Sequence, residues 1–309
     1  MGVGDEIIIL FKTIFLTNQI DSYSEQVNKL LPKQIKIAKL VSGFKFAESP
    51  LWHPQGFVLV ADVAANKIYK VTASGKMSLY WDKSGQTGNI DYSLSDMIGS
   101  NGMILDDQLN LIVCQHGNHA IIKRTGHAET VMLTNSFNGK PFNSPNDIVR
   151  HSNGTLYFTD PPYGLRNQVL QTDKFQSCAG VYSYQNGETK LFSSDLRYPN
   201  GICLSSNEKY LFVSSNHHDE PYIWKYEINE KGEITGQSIF IQQNADGIKM
   251  DQFDNMYMAV SKGILIVSNT GKRIALIHLP ELTTNLAWGK KNGFSLYATT
   301  TGSLYHIYG

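Results

Sequence analysis

Six polar residues, Glu48, Asn101, Asn146, Asn200, Asp246 and Asn285, lead six similar segments of this chain. Each opens an apolar stretch, a turn and a second run rich in aromatic and β-branched residues, as in "NGICLSSNEKYLFVSSN" from Asn200 and "DGIKMDQFDNMYMAVS" from Asp246. Two carboxylates and four amides, with no sulfur and no histidine among them, offer hard oxygen donors only. Brought together, such a set suits Ca²⁺, which takes about six to eight oxygen ligands. Zinc would call for nitrogen or sulfur. A single Asn-Gly or Asp-Gly is an ordinary turn dipeptide, but six polar residues at the head of six repeats ask for another reason.

The elements that would position these residues follow from the spacing. Intervals between the leading residues are 53, 45, 54, 46 and 39. A period of roughly 40–50 residues, built of β hairpins without a long helical pattern, predicts four-stranded propeller blades. The expected fold is all-β: a six-bladed β-propeller formed by one domain over residues 35–309, with residues 1–34 as an N-terminal extension. After Asn285 only three strands fit, in "LAW", "SLYATT" and "SLYHIY", and "IKIAKLVSGFKF" (35–46) reads as the missing outer strand that closes the last blade. In such a ring the first strand of each blade lines the central channel, so the six leading residues converge at one face. The second strand returns to that face, which places Asp62, His116, Asp160, Asn216, Ser261 and Thr300 around the mouth. The longest loop there, "DPPYGLRNQVLQTDKFQSCAG" (160–180), brings Tyr163 and Arg166 as substrate-facing groups.

Bulk properties narrow the class. The 309 residues carry 27 basic and 27 acidic side chains, without a basic cluster, which argues against an electrostatic nucleic-acid binder. Cys114, Cys178 and Cys203 are too few and too scattered for a disulfide framework or a zinc site, and read as small buried hydrophobes. "DEIIILFKTIFLTNQI" (5–20) is too short to span a bilayer. It begins with acids where a signal peptide has cations, so it reads as a helix on the domain, and the chain as a cytoplasmic protein with no membrane partner, periplasmic or secreted placement being the alternatives. A monomer or small homo-oligomer is expected.

At "GSNGMILD", "NSPNDIVRHSNGTLYFTDPPYGL", "YPNGICLSSNEKYLFVSSN", "DGIKMDQFDNMYMA" and "TTNLAW" the chain resembles the gluconolactonase family, within the regucalcin-like (senescence marker protein) six-bladed calcium-dependent hydrolases. The resemblance runs from about residue 44 to the C-terminus. It implies a lactone hydrolase acting on a sugar lactone, with metal ligands at Glu48, Asn200 and Asp246. Asn146 falls where the family has an Asn contacting the metal, or a water or substrate beside it. Asn101 resembles a further polar contact on the substrate side. His116, in "CQHGNH", stands in a segment similar to the family's Cys-Glu/Gln-His-Gly-Asn. Asn285 and Tyr163 complete the candidates for substrate contact. The pair His217-His218 departs from the family's usual small residues. The implied cofactor is Ca²⁺, with Mg²⁺, Mn²⁺ or Zn²⁺ as substitutes.

Opening a cyclic ester needs a polarised carbonyl, an activated water and a stabilised oxyanion. Asp246 is the leading candidate for the base and His116 its rival. No G-x-S-x-G motif is present, which argues against an acyl-enzyme. The alternatives are a metal-dependent phosphotriesterase or other esterase on the same propeller, or a calcium-binding propeller without activity.

Overall fold

A computed structural model describes residues 19–88, 95, 97–290 and 293–309. Runs such as Phe57–Asp62 are apolar at consecutive positions because both of their faces are buried. Phe57, Leu59 and Ala61 pack on Met103, Leu111 and Val113 of the following sheet. Val58 and Val60 between them pack on Val41, Tyr297 and Leu304 of the preceding one. The same arrangement repeats at each junction between sheets, so among the described residues the apolar core is divided into clusters between neighbouring blades. A strand of this kind reads as near-continuous hydrophobicity rather than strict alternation.

The sheets form six antiparallel blades in chain order. Blades 1 to 4 comprise residues 47–82, 100–134, 148–193 and 199–242, each with four strands. Blade 5 (248–278) gains a fifth, outer strand, because Ile20–Ser22 pairs antiparallel with Arg273–His278. Blade 6 takes three strands from residues 283–308 and its outer strand, Lys36–Ser42, from the N-terminal side, with Lys36 opposite Tyr308. The helix expected over 5–20 lies outside the described residues except for Gln19 and Ile20, where the chain enters that fifth strand. A single helical turn, Val27–Leu30, follows. No helix among the described residues is long and apolar enough to cross a membrane.

Glu281 fastens the closure. Its carboxylate accepts hydrogen bonds from Thr300 (2.7 Å), Ser303 (2.8 Å), Lys39 (3.0 Å) and Tyr305 (3.1 Å), tying the closing strand to blade 6. Burial alone would raise its pKa, but the bonds from Thr300, Lys39 and Ser303 hold it down at about 2. A depressed carboxylate contributes stability above its unfolded pKa, and that contribution is lost as pH falls through the folded value. Glu281→Gln should therefore lower the melting temperature at pH 7, by about 1–2 kcal/mol of stability for a partly buried cluster. The gap from wild type should narrow as the pH is taken from 4.5 towards 2, and a gap independent of pH would remove the carboxylate from the closure.

Candidate active site

The inner strands place the polar residues by breaking their own ladders. Pairing shifts register between Glu48 and Leu51, Ser100 and Met103, Pro199 and Ile202, and Thr283 and Asn285. In blades 3 and 5 the inner strand begins only at Ile148 and Ile248, just after Asn146-Asp147 and Asp246-Gly247. A bulge bends its strand locally and re-aims a side chain. Here the four bulges and the two late strand starts turn the leading residues towards their counterparts in the next blade. At Ser49 the chain takes the left-handed conformation (φ 43°), unusual for a buried non-glycine residue, and such strain tends to be kept at functional sites.

The result is a relay of hydrogen bonds around the axis. The Ser49 hydroxyl donates to Asn101 Oδ1 (3.1 Å), and Asn101 Nδ2 to Asn146 Oδ1 (2.7 Å). Asn146 Nδ2 donates to Asn200 Oδ1 (3.2 Å), and Asn200 Nδ2 to Asp246 Oδ1 (2.7 Å). On the other side Asn285 Nδ2 and the Ser49 amide both donate to Glu48 Oε2, at 3.2 and 3.0 Å. All six leading residues thus meet in one ring, with Ser49 as a member that the sequence did not announce.

The glycines after three of them serve close approach and not turns. Gly102, Gly201 and Gly247 donate their backbone N–H to Asn146, Asp246 and Thr284 carbonyls of the next blade. A Cβ at these positions would lie 2.5 Å from the Asn146 carbonyl oxygen, 2.4 Å from that of Asp246, and 2.1 Å from Asn285 Oδ1.

Electrostatically the ring holds two carboxyl groups without a side-chain cation. No Lys, Arg or His lies within ion-pair distance of Glu48 or Asp246 among the described residues. Burial, and then the charge of Asp246, pushes the Glu48 carboxyl well above its usual range. Burial likewise raises Asp246, to about 7, against the pull of the Asn200 hydrogen bond. Glu48 Oε1 and Asp246 Oδ2 take no hydrogen bond and are not sealed from the surface. Two uncompensated carboxylates, each with a free oxygen, beside amide oxygens with a spare lone pair, fit a hard divalent cation. Asp147, next to Asn146, turns the other way. It accepts from the Ile148 and Ile202 amides and faces Lys249 Nζ at 3.6 Å, so its charge is compensated.

The family model of the SMP-30/Gluconolactonase/LRE-like region matches residues 46–302. The chain belongs to this family. It is 29% identical over 306 residues to a gluconolactonase of Zymomonas mobilis, covering 94% of this chain and 85% of that one. Among solved structures, a gluconolactonase of Xanthomonas campestris superposes with a TM-score of 0.79 at 22% identity, over 89% of this chain and 90% of that one. Regucalcin of Agrobacterium tumefaciens, a calcium-binding protein, superposes with a TM-score of 0.68 at 15% identity, over 88% and 94%. These two show the shared propeller fold.

The remaining expected residues divide in this family member. Tyr163 stands at the ring: its hydroxyl lies 3.5 Å from Asn200 Nδ2. His116 is buried (1% exposed), with Nδ1 on the Met97 carbonyl at 2.9 Å and Nε2 without a partner. Burial lowers its pKa to about 4, so the ring is neutral at physiological pH. No hydrogen bond joins it to the six. Arg166 is exposed and lines a side cavity of about 100 Å³ with Lys174 and His119.

Three residues expected at the mouth turn their side chains back into the fold. Asp62 accepts from the Lys45 and Phe46 amides, and Asp160 from those of Asn143 and Ser144, each pinning the approach to its own blade. Thr300 serves the Glu281 cluster. A cavity of about 690 Å³ beside Met250, Phe253 and Trp288 lies at the opposite ends of the inner strands and has no part in the ring. Cys114 and Cys203 are buried, Cys178 half-buried, and all three are free thiols.

Proposed function

We propose that the propeller of residues 35–309 hydrolyses a sugar lactone with the help of one divalent cation, Ca²⁺ by its donor set, held by Glu48, Asn200 and Asp246 with Asn146 beside them. The observation that carries this reading is the pair of free carboxylate oxygens, on Glu48 and Asp246, set in a ring of amides without a side-chain cation. The family of the chain and its gluconolactonase relative support the substrate class. A bound dication would polarise the lactone carbonyl and favour the oxyanion.

The chain's own groups do the rest. Asp246 takes the proton of the attacking water and returns it to the ring oxygen that leaves as an alcohol. The second N–H of Asn101 or Asn146 and the Tyr163 hydroxyl are donors for the developing negative charge. Asn285 holds Glu48 in place. Water adds across the ester C–O bond, giving the open hydroxy acid.

The test is hydrolysis of glucono-δ-lactone by purified protein, followed by titration of the acid released. Activity should vanish in a chelator and return with Ca²⁺, and full activity in the chelator would overturn the metal-assisted reading. In the same assay His116→Gln should raise KM while kcat stays within about threefold, since His116 is bonded to Met97 and not to the ring. A loss of about 10²–10⁴-fold in kcat would instead transfer the role of base to His116.

A further inference from the structure

Three rings run outward from the amide relay. Tyr163, at Asn200, has its ring centroid 5.7 Å from that of Tyr198, with 40° between planes. Tyr198 lies 5.7 Å from His217 at 30°. All three keep part of their surface open. They are also held in place: the Tyr198 hydroxyl donates to the Gln168 carbonyl (3.0 Å), and the Asn216 amide to the Tyr198 carbonyl (3.0 Å). His217 Nδ1 accepts from the Asp219 amide at 3.3 Å.

A six-membered lactone is about as wide as one aromatic ring. Seated at Asp246 and Asn200 it reaches Tyr163 and leaves Tyr198 and His217 unused. The C–H face of a second sugar ring suits those two, because its positive hydrogens meet the negative face of an aromatic ring. We infer that Tyr163, Tyr198 and His217 form a subsite for a second sugar, so that the preferred substrate is a glycosylated aldonolactone. This inference rests on the lactone-hydrolase reading. The reaction that supplies such a substrate is a two-electron oxidation at the reducing end of a disaccharide.

His217 admits a rival role, since a ring nitrogen of His217, one of His218 and a carboxylate oxygen of Asp219 lie within 4.8 Å of one another, a grouping that a late first-row cation would take. Tyr198 separates the two. The experiment compares kcat/KM for glucono-δ-lactone and its 4-O-glucosyl derivative in the full chain, in Tyr198→Leu, Tyr198→Phe and His217→Ser. Wild type should favour the glucosylated lactone by about tenfold or more, and Tyr198→Leu and His217→Ser should each cut that ratio about fivefold, chiefly through KM. Tyr198→Phe, which keeps the ring, should retain it.

A ratio unmoved in Tyr198→Leu, whether or not His217→Ser lowers it, overturns the subsite. So does a wild type with no preference. Absence of hydrolysis of either lactone by wild type overturns the parent reading instead.

Discussion

Asp246→Asn should raise the melting temperature of the metal-free protein while abolishing the further rise that Ca²⁺ produces in wild type. The two effects have one cause. Glu48 and Asp246 are buried with no cationic side chain beside them, and each raises the cost of charging the other. Removing one charge relieves that repulsion in the empty site. It also removes half of the negative charge that would hold a dication, so calcium affinity should fall by about 10²-fold or more. Wild type at a hundredfold excess of Ca²⁺ over its Kd gains about 2.7 kcal/mol, and Asp246→Asn should gain almost none. Lactone turnover should drop by about 10³-fold or more, since ligand and base are lost together. Glu48→Gln should reproduce the thermal pattern and the weakened binding. Differential scanning calorimetry with and without Ca²⁺ checks this, and an undiminished calcium shift in Asp246→Asn would remove the ring from metal binding.

Gly247→Ala should be as damaging as the loss of a large core residue. Its Cβ would come within 2.1 Å of Asn285 Oδ1 and 2.8 Å of the Asn285 Cα. The alternatives are to push Asn285 off Glu48, which it holds at 3.2 Å, or to break the 2.8 Å bond from the Gly247 amide to Thr284. Either opens the junction between blades 5 and 6 at the ring. We expect about 2–4 kcal/mol of destabilisation together with a large loss of calcium affinity. Gly126→Ala, where a Cβ meets nothing within 4 Å, should stay within about 0.5 kcal/mol of wild type. Equal denaturation midpoints for the two variants would show that the close approach at Gly247 relaxes at little cost.

Much of this was legible because blades repeat. The interval between leading residues predicts six hairpin pairs, and the shortfall of one strand after Asn285 predicts closure by a strand within residues 35–46, found at Lys36–Ser42. The finer placement was not legible because it turns on shifts of a single residue. Asn146 and Asp147 are neighbours, yet one joins the relay and the other binds amides of Ile148 and Ile202. Asp160 had the appearance of a second acid at the mouth, and only the hydrogen bonds from Asn143 and Ser144 show it to be a clamp. Gly102 and Gly201 sit in turn-like dipeptides, and nothing in the letters separates a turn from a strand that another backbone approaches. Ser49 escaped for the same reason: its role depends on a φ of 43°. The strand at Ile20–Ser22 has too few residues to carry a pattern at all.

The pairing of Lys36–Ser42 with Ser303–Tyr308 also fixes a schedule. Apart from the pairing of Ile20–Ser22 with Arg273–His278, every other strand pairing among the described residues joins neighbours in the chain and can form as each hairpin is made. The strand Lys36–Ser42 has no partner until residues 303–308 have been made. For that interval it is an unpaired β edge attached to a growing, open arc, the state in which chains associate wrongly. Among the described strands its partners lie farthest apart in the chain, and contacts of that kind form slowly. Joining blades 1 and 6 is therefore a ring closure spanning residues 36–308, and the relay of amides, which needs all six blades in register, is completed only then.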